Sequence, residues 1–273
     1  MTKTPGESPG SSSSWPASPG EPAGSATQPD LADTAAPLSE PFPYTRPGLA
    51  LGIAAVGYLV TVALTWPGWR PVFGALPLWA GTLSDAVVTL GPLLAAALVA
   101  GRLAGPRVGR ALGLRVRPVD LLIGALGALV ARALVEVVAP TTGSLRPALG
   151  SGVDATAAIV AAVVALVVLA PLVEEMFFRG VLQRALTQVL DGVVPSGGSS
   201  RPAAATVAIA VTTAAFVTLH AVPYGAAVPL GVVLSPLVVG IGAGAATVVT
   251  GRIGAGVVLH VLFNLTGVVL LLR

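Results

Sequence analysis

The sequence predicts an all-α fold, a polytopic transmembrane helical bundle of about seven spans. Three observations lead there. Of the 273 residues, 54% are hydrophobic and only 10% charged. Soluble domains run near a quarter charged, so this chain lacks the charge to coat a water-facing surface. Apolar runs of about twenty residues, the length that crosses a bilayer, recur between Pro, Gly and Arg. Aromatic residues make up only 5%, so the apolar content is mostly Ala, Val, Leu and Gly, and small residues let helices approach closely in lipid.

Residues 1–45 form a Pro/Gly/Ser-rich stretch that cannot bury enough surface to offset ordering entropy, so it reads as a disordered tail. With no apolar segment after a basic start, it does not read as a signal peptide. The transmembrane domain is expected over 46–273, with spans near 47–66, 78–100, 120–139, 155–178, 203–221, 228–249 and 253–272. The second could begin later, capped by Ser84 and Asp85. The sixth carries Pro229, Pro236 and a run of glycines at 240, 242 and 244, which predicts a kink.

Arginine placement predicts orientation. The loop after span two holds Arg102, Arg107, Arg110, Arg115 and Arg117, and those after spans four and six hold Arg184, Arg201 and Arg252. Opposite loops offer only Arg70 and Arg146. The positive-inside rule then puts the N-terminus and the arginine-rich loops in the cytoplasm of a multi-pass cell-membrane protein. The net charge of +3 reads as topology, so no nucleic-acid partner is expected. The absence of cysteine excludes disulfides, thiolate metal sites and a cysteine nucleophile.

Charge inside a bilayer costs a few kcal/mol per group, on the order of 3, so each such residue needs a partner or a task. Arg132 and Glu136, four apart, read as an ion pair. The fourth run ends in adjacent carboxylates, Glu174 and Glu175, beside bulky apolar side chains. Adjacent helical residues point about 100° apart, so the two cannot do the same thing. Glu175 can pair with Arg179 along one face, leaving Glu174 without a local cation. A desolvated carboxylate is a natural general base for water. The plainer alternative is that both sit in interfacial water at the helix end.

Both histidines lie in apolar spans: His220 four residues after Phe216, and His260 four before Asn264, the only asparagine. Singly, each reads more simply as a hydrogen-bonded packing residue. Together they place nearly all the intramembrane polarity in three late spans. If helix four runs to about Leu190 and helix five starts near Ala203, Glu174 and His220 come level, roughly 24–26 Å from their connecting loop. His260 lies roughly 12 Å from the loop at Gly251. Agreement requires helix four to protrude, which Gln183, Arg184 and Gln188 would tolerate.

These three motifs, Glu174-Glu175-x-x-x-Arg179, Phe216-x-x-x-His220 and His260-x-x-x-Asn264, resemble those of the CPBP family, also called the type II CAAX prenyl endopeptidase or Abi family. The Phe178-Arg179-Gly180 ending agrees as well, and the resemblance covers roughly 155–270, the expected protease core. It implies an intramembrane endopeptidase acting on a membrane-associated peptide or protein, with a buried active site sunk below the cytosolic surface. Glu174 with His220 would activate water, Glu175 would pair with Arg179, and His260 and Asn264 would stabilise the oxyanion. No cofactor is implied.

Rival readings remain open. Two histidines and a glutamate could hold zinc with an open position for water, although Asn264 is a poor zinc ligand and HExxH is absent. Intramembrane Glu and His also mark transport pathways, but no internal repeat of a transporter kind is present. A non-catalytic scaffold or immunity-type protein is the third. Alanine, glycine and arginine richness with a single lysine suggests a high-GC bacterial source, where bacteriocin-like peptides or membrane proteins fit better as substrates than prenylated ones.

Overall fold

The computed structural model describes residues 43–66, 76–140, 153–193 and 200–272. The expected disordered tail, and Arg70 and Arg146, lie outside these segments. Among the described residues every regular element is helical. The helices are α1 (Pro47–Leu64), α2 (Leu78–Ala104), α3 (Pro118–Val138), α4 (153–193), α5 (Ser200–Ala221), α6 (Leu230–Thr250) and α7 (Gly254–Leu272). One turn, Val108–Ala111, separates α2 from α3, and a 3-10 turn, Val222–Tyr224, follows α5. Seven helices are long and apolar enough to cross a membrane, as the hydropathy pattern predicts, and the chain is a multi-pass membrane protein. Outward-facing side chains such as Val56, Leu129 and Val137 are exposed, the inverse of a water-soluble surface and the pattern lipid would cover.

Local chemistry sets the helix ends. Pro47 and Pro118 occupy first-turn positions, where a missing N–H costs nothing. Asp120, fully buried in the first turn of α3, accepts from the Arg117 backbone N–H at 2.8 Å. The same carboxylate takes a fork from Arg252, Nη2 to Oδ1 at 2.7 Å and Nε to Oδ2 at 3.1 Å. One side chain thus caps α3 and ties it to the α6–α7 junction. There Gly251 closes α6 at φ 68°, a left-handed conformation that favours glycine. Helices α3 and α7 meet closely at Gly124, where an added Cβ would lie 2.6 Å from the Val258 Cβ.

Helix α2 begins at Leu78, where the span reading places it, and the alternative start is not taken, since Ser84 and Asp85 lie inside the helix. Helix α6 is continuous from Leu230 to Thr250 with Pro236 inside it, and its glycines serve close approach. Helix α4 continues to Val193, past the span end at 178 and near the Leu190 that levelling Glu174 with His220 requires, so Arg184 is helical and not a loop residue. The extension forms because one of its faces has partners. Tyr44 Oη donates to the Gly180 carbonyl at 2.7 Å, Gln188 Nε2 donates to the Tyr44 carbonyl at 2.6 Å, and Arg184 donates to the carbonyls of Gly251 and Ala111. Arg132 and Glu136 do pair, at 3.2 Å, and the Arg132 guanidinium lies 3.8 Å over the Phe263 ring while donating to the Phe263 carbonyl.

Replacing Asp120 with Ala removes the cap and leaves Arg252 unpaired. The expected loss is about 3 kcal/mol, read as a lowered thermal midpoint in detergent, with no comparable loss for Asp85→Ala.

Candidate active site

Helix α4 is not α-helical throughout. Two π segments, Val163–Leu169 and Met176–Gln183, bracket an α-helical stretch, Ala170–Glu175, that contains Pro171 and both glutamates. Pro171 has no N–H, and Ala170 gives its own N–H to Ala165, five residues back. The Leu166 carbonyl would meet Pro171 in the π register and Ala170 in the α register, so the helix offers it no donor. Asn264 of α7 supplies one, with Nδ2 to the Leu166 oxygen at 2.8 Å. Wide turns of this kind recur at functional sites, where they rotate one stretch of helix relative to the next.

Within that α-helical stretch the adjacent glutamates point about 100° apart. Glu175 is fully buried, with Oε1 3.0 Å from Arg179 Nη1 and 3.1 Å from His260 Nδ1. Arg179 is 1% exposed and its Nη2 donates to the Gly240 carbonyl at 3.1 Å. One turn on, Gln183 Nε2 donates to the Gly244 carbonyl at 3.0 Å. The Gly240 and Gly244 spacing therefore makes a groove in α6 for the polar edge of α4, a membrane use of small residues one turn apart. Gly256 does the same for α7, since a Cβ there would come within 2.9 Å of Glu175 Oε2.

Glu174, 5% exposed, turns the other way. Its Oε2 lies 3.6 Å from His260 Nε2, beyond hydrogen-bond range but close enough for charge attraction. It also lines a cavity of about 390 Å³ together with His220. The remaining wall includes Thr65, Thr82, Asp85 and Thr89, with Leu166 and Ala170 from the π–α junction. His220 Nδ1 sits 2.9 Å from the Phe216 carbonyl, which can only accept. Nδ1 therefore carries a proton, and in the neutral ring the Nε2 lone pair is then available.

Phe216 joins the parts. Its ring packs edge-on against His220 at 4.5 Å and His260 at 5.6 Å between centroids, and the Arg179 guanidinium lies 4.9 Å from it. The ring seals the Arg179 side of the cluster, and its carbonyl fixes the His220 tautomer.

The six residues singled out from the sequence thus fall in one region, from α4, α5 and α7. Glu175 pairs with Arg179 as the four-residue spacing predicts. His260 lies near both carboxylates, while His220 faces Glu174 across the shared cavity. Asn264 holds a helix carbonyl. The threonines and Asp85 on the cavity wall were missed, because they lie in α1 and α2, whose polar residues carry no motif. Among the described residues no three His, Cys, Asp or Glu side chains are arranged to hold a metal ion.

Residues 156–266 match the family model described as Type II CAAX prenyl endopeptidase Rce1-like. Comparison with curated proteins and with solved structures finds no match. The matched segment starts in the first turns of α4, ends two residues past Asn264, and so takes in all three motifs and the whole cluster around Phe216. Over that segment the chain is similar to the Rce1-like type II CAAX prenyl endopeptidases, a family of CAAX-type intramembrane proteases.

Proposed function

We propose that the chain hydrolyses a peptide bond of a membrane-associated peptide or protein, with Glu174 as general base on water. The observation that carries this reading is the division of labour between adjacent glutamates. Glu175 is enclosed by Arg179 and His260, whereas Glu174 shares a cavity with a histidine whose Nδ1 is held by the Phe216 carbonyl. Glu174 takes a proton from water, and the oxygen attacks the peptide carbonyl carbon. His220 accepts a hydrogen bond from that water and orients it. The carbon–nitrogen bond then breaks, and the proton passes from Glu174 to the leaving amine. His260 and the second N–H of the Asn264 amide are the groups we assign to the developing oxyanion. The proposed steps need no metal. In the cell membrane we place the arginine-rich helix ends on the cytoplasmic side.

Glu174→Gln and His220→Ala are expected to lower cleavage by roughly 10²–10⁴-fold while the thermal midpoint moves little. Membrane proteomics of the Glu174→Gln strain should show termini that vanish relative to wild type. An unchanged set of termini rejects the enzymatic reading. Arg179→Met should behave differently, because it leaves Glu175 buried without its cation. The expected cost is about 3–5 kcal/mol, seen as loss of folded protein before any rate is measured. Exhaustive chelation should leave cleavage within about twofold, since general-base chemistry alone supplies the step. Loss on chelation with recovery on adding zinc would favour a metal.

A further inference from the structure

The residues that line the cavity place it toward one end of the bundle. Thr65 lies just past the end of α1, and Thr82 and Asp85 lie in the first turns of α2. Leu219, His220 and Pro223 lie at the end of α5 and in the turn beyond it. All of these belong to the same end of the bundle, and Asp85 there is exposed. Between the glutamates and the other end the protein is filled: Phe177, Phe178, Arg179, Val181, Gln183 and Phe216 are each at most 2% exposed.

The filled end carries the arginines. Arg46 precedes α1, Arg102 to Arg117 lie between the last turn of α2 and the start of α3, and Arg184, Arg201 and Arg252 follow at the later junctions, nine in all (46, 102, 107, 110, 115, 117, 184, 201, 252). Arg184 donates to the Gly251 carbonyl, so these two mark one level. Glu174 lies ten residues before Arg184 and His260 nine after Gly251, about 13–15 Å below that level by either helix. The opposite end has no Lys or Arg beyond its helix ends among the described residues, and the sequence adds only Arg70, Arg146 and Arg273 there. Nine against three is a strong positive-inside signal.

We propose that substrate enters this site from the extracytoplasmic face, opposite the arginine-rich ends, rather than from the cytosolic surface that the motif resemblance implies. The proposal rests on the protease reading of the same cavity. It names the substrate class as a peptide segment exposed outside the membrane, either an exported peptide or the outer flank of another membrane protein. The carboxylate of Asp85 and the hydroxyls of Thr65 and Thr82 line its way in. Among the described residues no Lys or Arg lines the cavity.

The chain contains no cysteine, which makes the test direct. Thr82→Cys places a thiol on the cavity wall, and Arg110→Cys places one at the filled end. Intact cells are treated with a membrane-impermeant maleimide coupled to polyethylene glycol. Thr82→Cys should be labelled before permeabilisation and Arg110→Cys only after it. The reverse pattern, or protection of Thr82→Cys until cells are opened, overturns the proposal. If Thr82→Cys does not accumulate, Asp85→Cys takes its place with the same expected outcome. Cleavage of the protein whose cut terminus is lost in the Glu174→Gln strain is then followed. Labelling at position 82 should lower it at least tenfold, and labelling at 110 should leave it within twofold. Undiminished cleavage with position 82 fully labelled also overturns the route. Should wild type cleave nothing, the protease reading fails, while the labelling pattern still decides which face the cavity opens to.

Discussion

The ion pair between Glu175 and Arg179 is the constraint on which the site depends. Both groups are almost wholly enclosed, where an unpaired charge costs several kcal/mol. Each must therefore be met from more than one direction. The guanidinium is met by a carbonyl of α6 and the face of an α5 phenylalanine, and the carboxylate by an imidazole of α7. Four helices are fixed around two side chains of one of them. The glycines of α6 and α7 follow from this, because polar groups of α4 reach neighbouring backbones only where no Cβ intervenes.

A second constraint comes from Pro171. A proline three residues before a critical glutamate would ordinarily be a defect in a membrane helix, where a carbonyl without a donor is costly. Here the helix widens on both sides of it, and the carbonyl it strands is taken by Asn264. The carboxamide that the motif marks for chemistry thus also holds together the bend that aims Glu174 at the cavity. Its one N–H on Leu166 fixes where the other points.

Much of this was legible from residue order. Seven spans follow from apolar runs alone, and the Glu175–Arg179 and Arg132–Glu136 pairs follow from four-residue spacing, because those rules are local. Convergence of Glu174, His220 and His260 was suggested by scarcity, since a chain so poor in polar groups seldom places them together without cause. The protrusion of α4 was legible only as a condition for levelling the site, because its last turns are held by distant partners, Tyr44, Ala111 and Gly251. The π turns were hidden because nothing in Val163–Leu169 differs from an ordinary apolar helix. Asp85 read as a cap, since a wall residue is defined only by what faces it. The approach of His260 to both carboxylates is of the same kind: spacing along α7 cannot say which carboxylate a ring will meet on α4.

Tyr44 gives the stretch before the first span an unexpected grip on the interior. Burial pushes its phenol well above the usual range, so it stays a proton donor under ordinary conditions, and its hydrogen bond ends on Gly180, the residue after Arg179. Gln188 clasps the same residue from the next turns of α4. A displacement of Tyr44 just ahead of α1 is therefore felt at the backbone beside the Arg179 guanidinium.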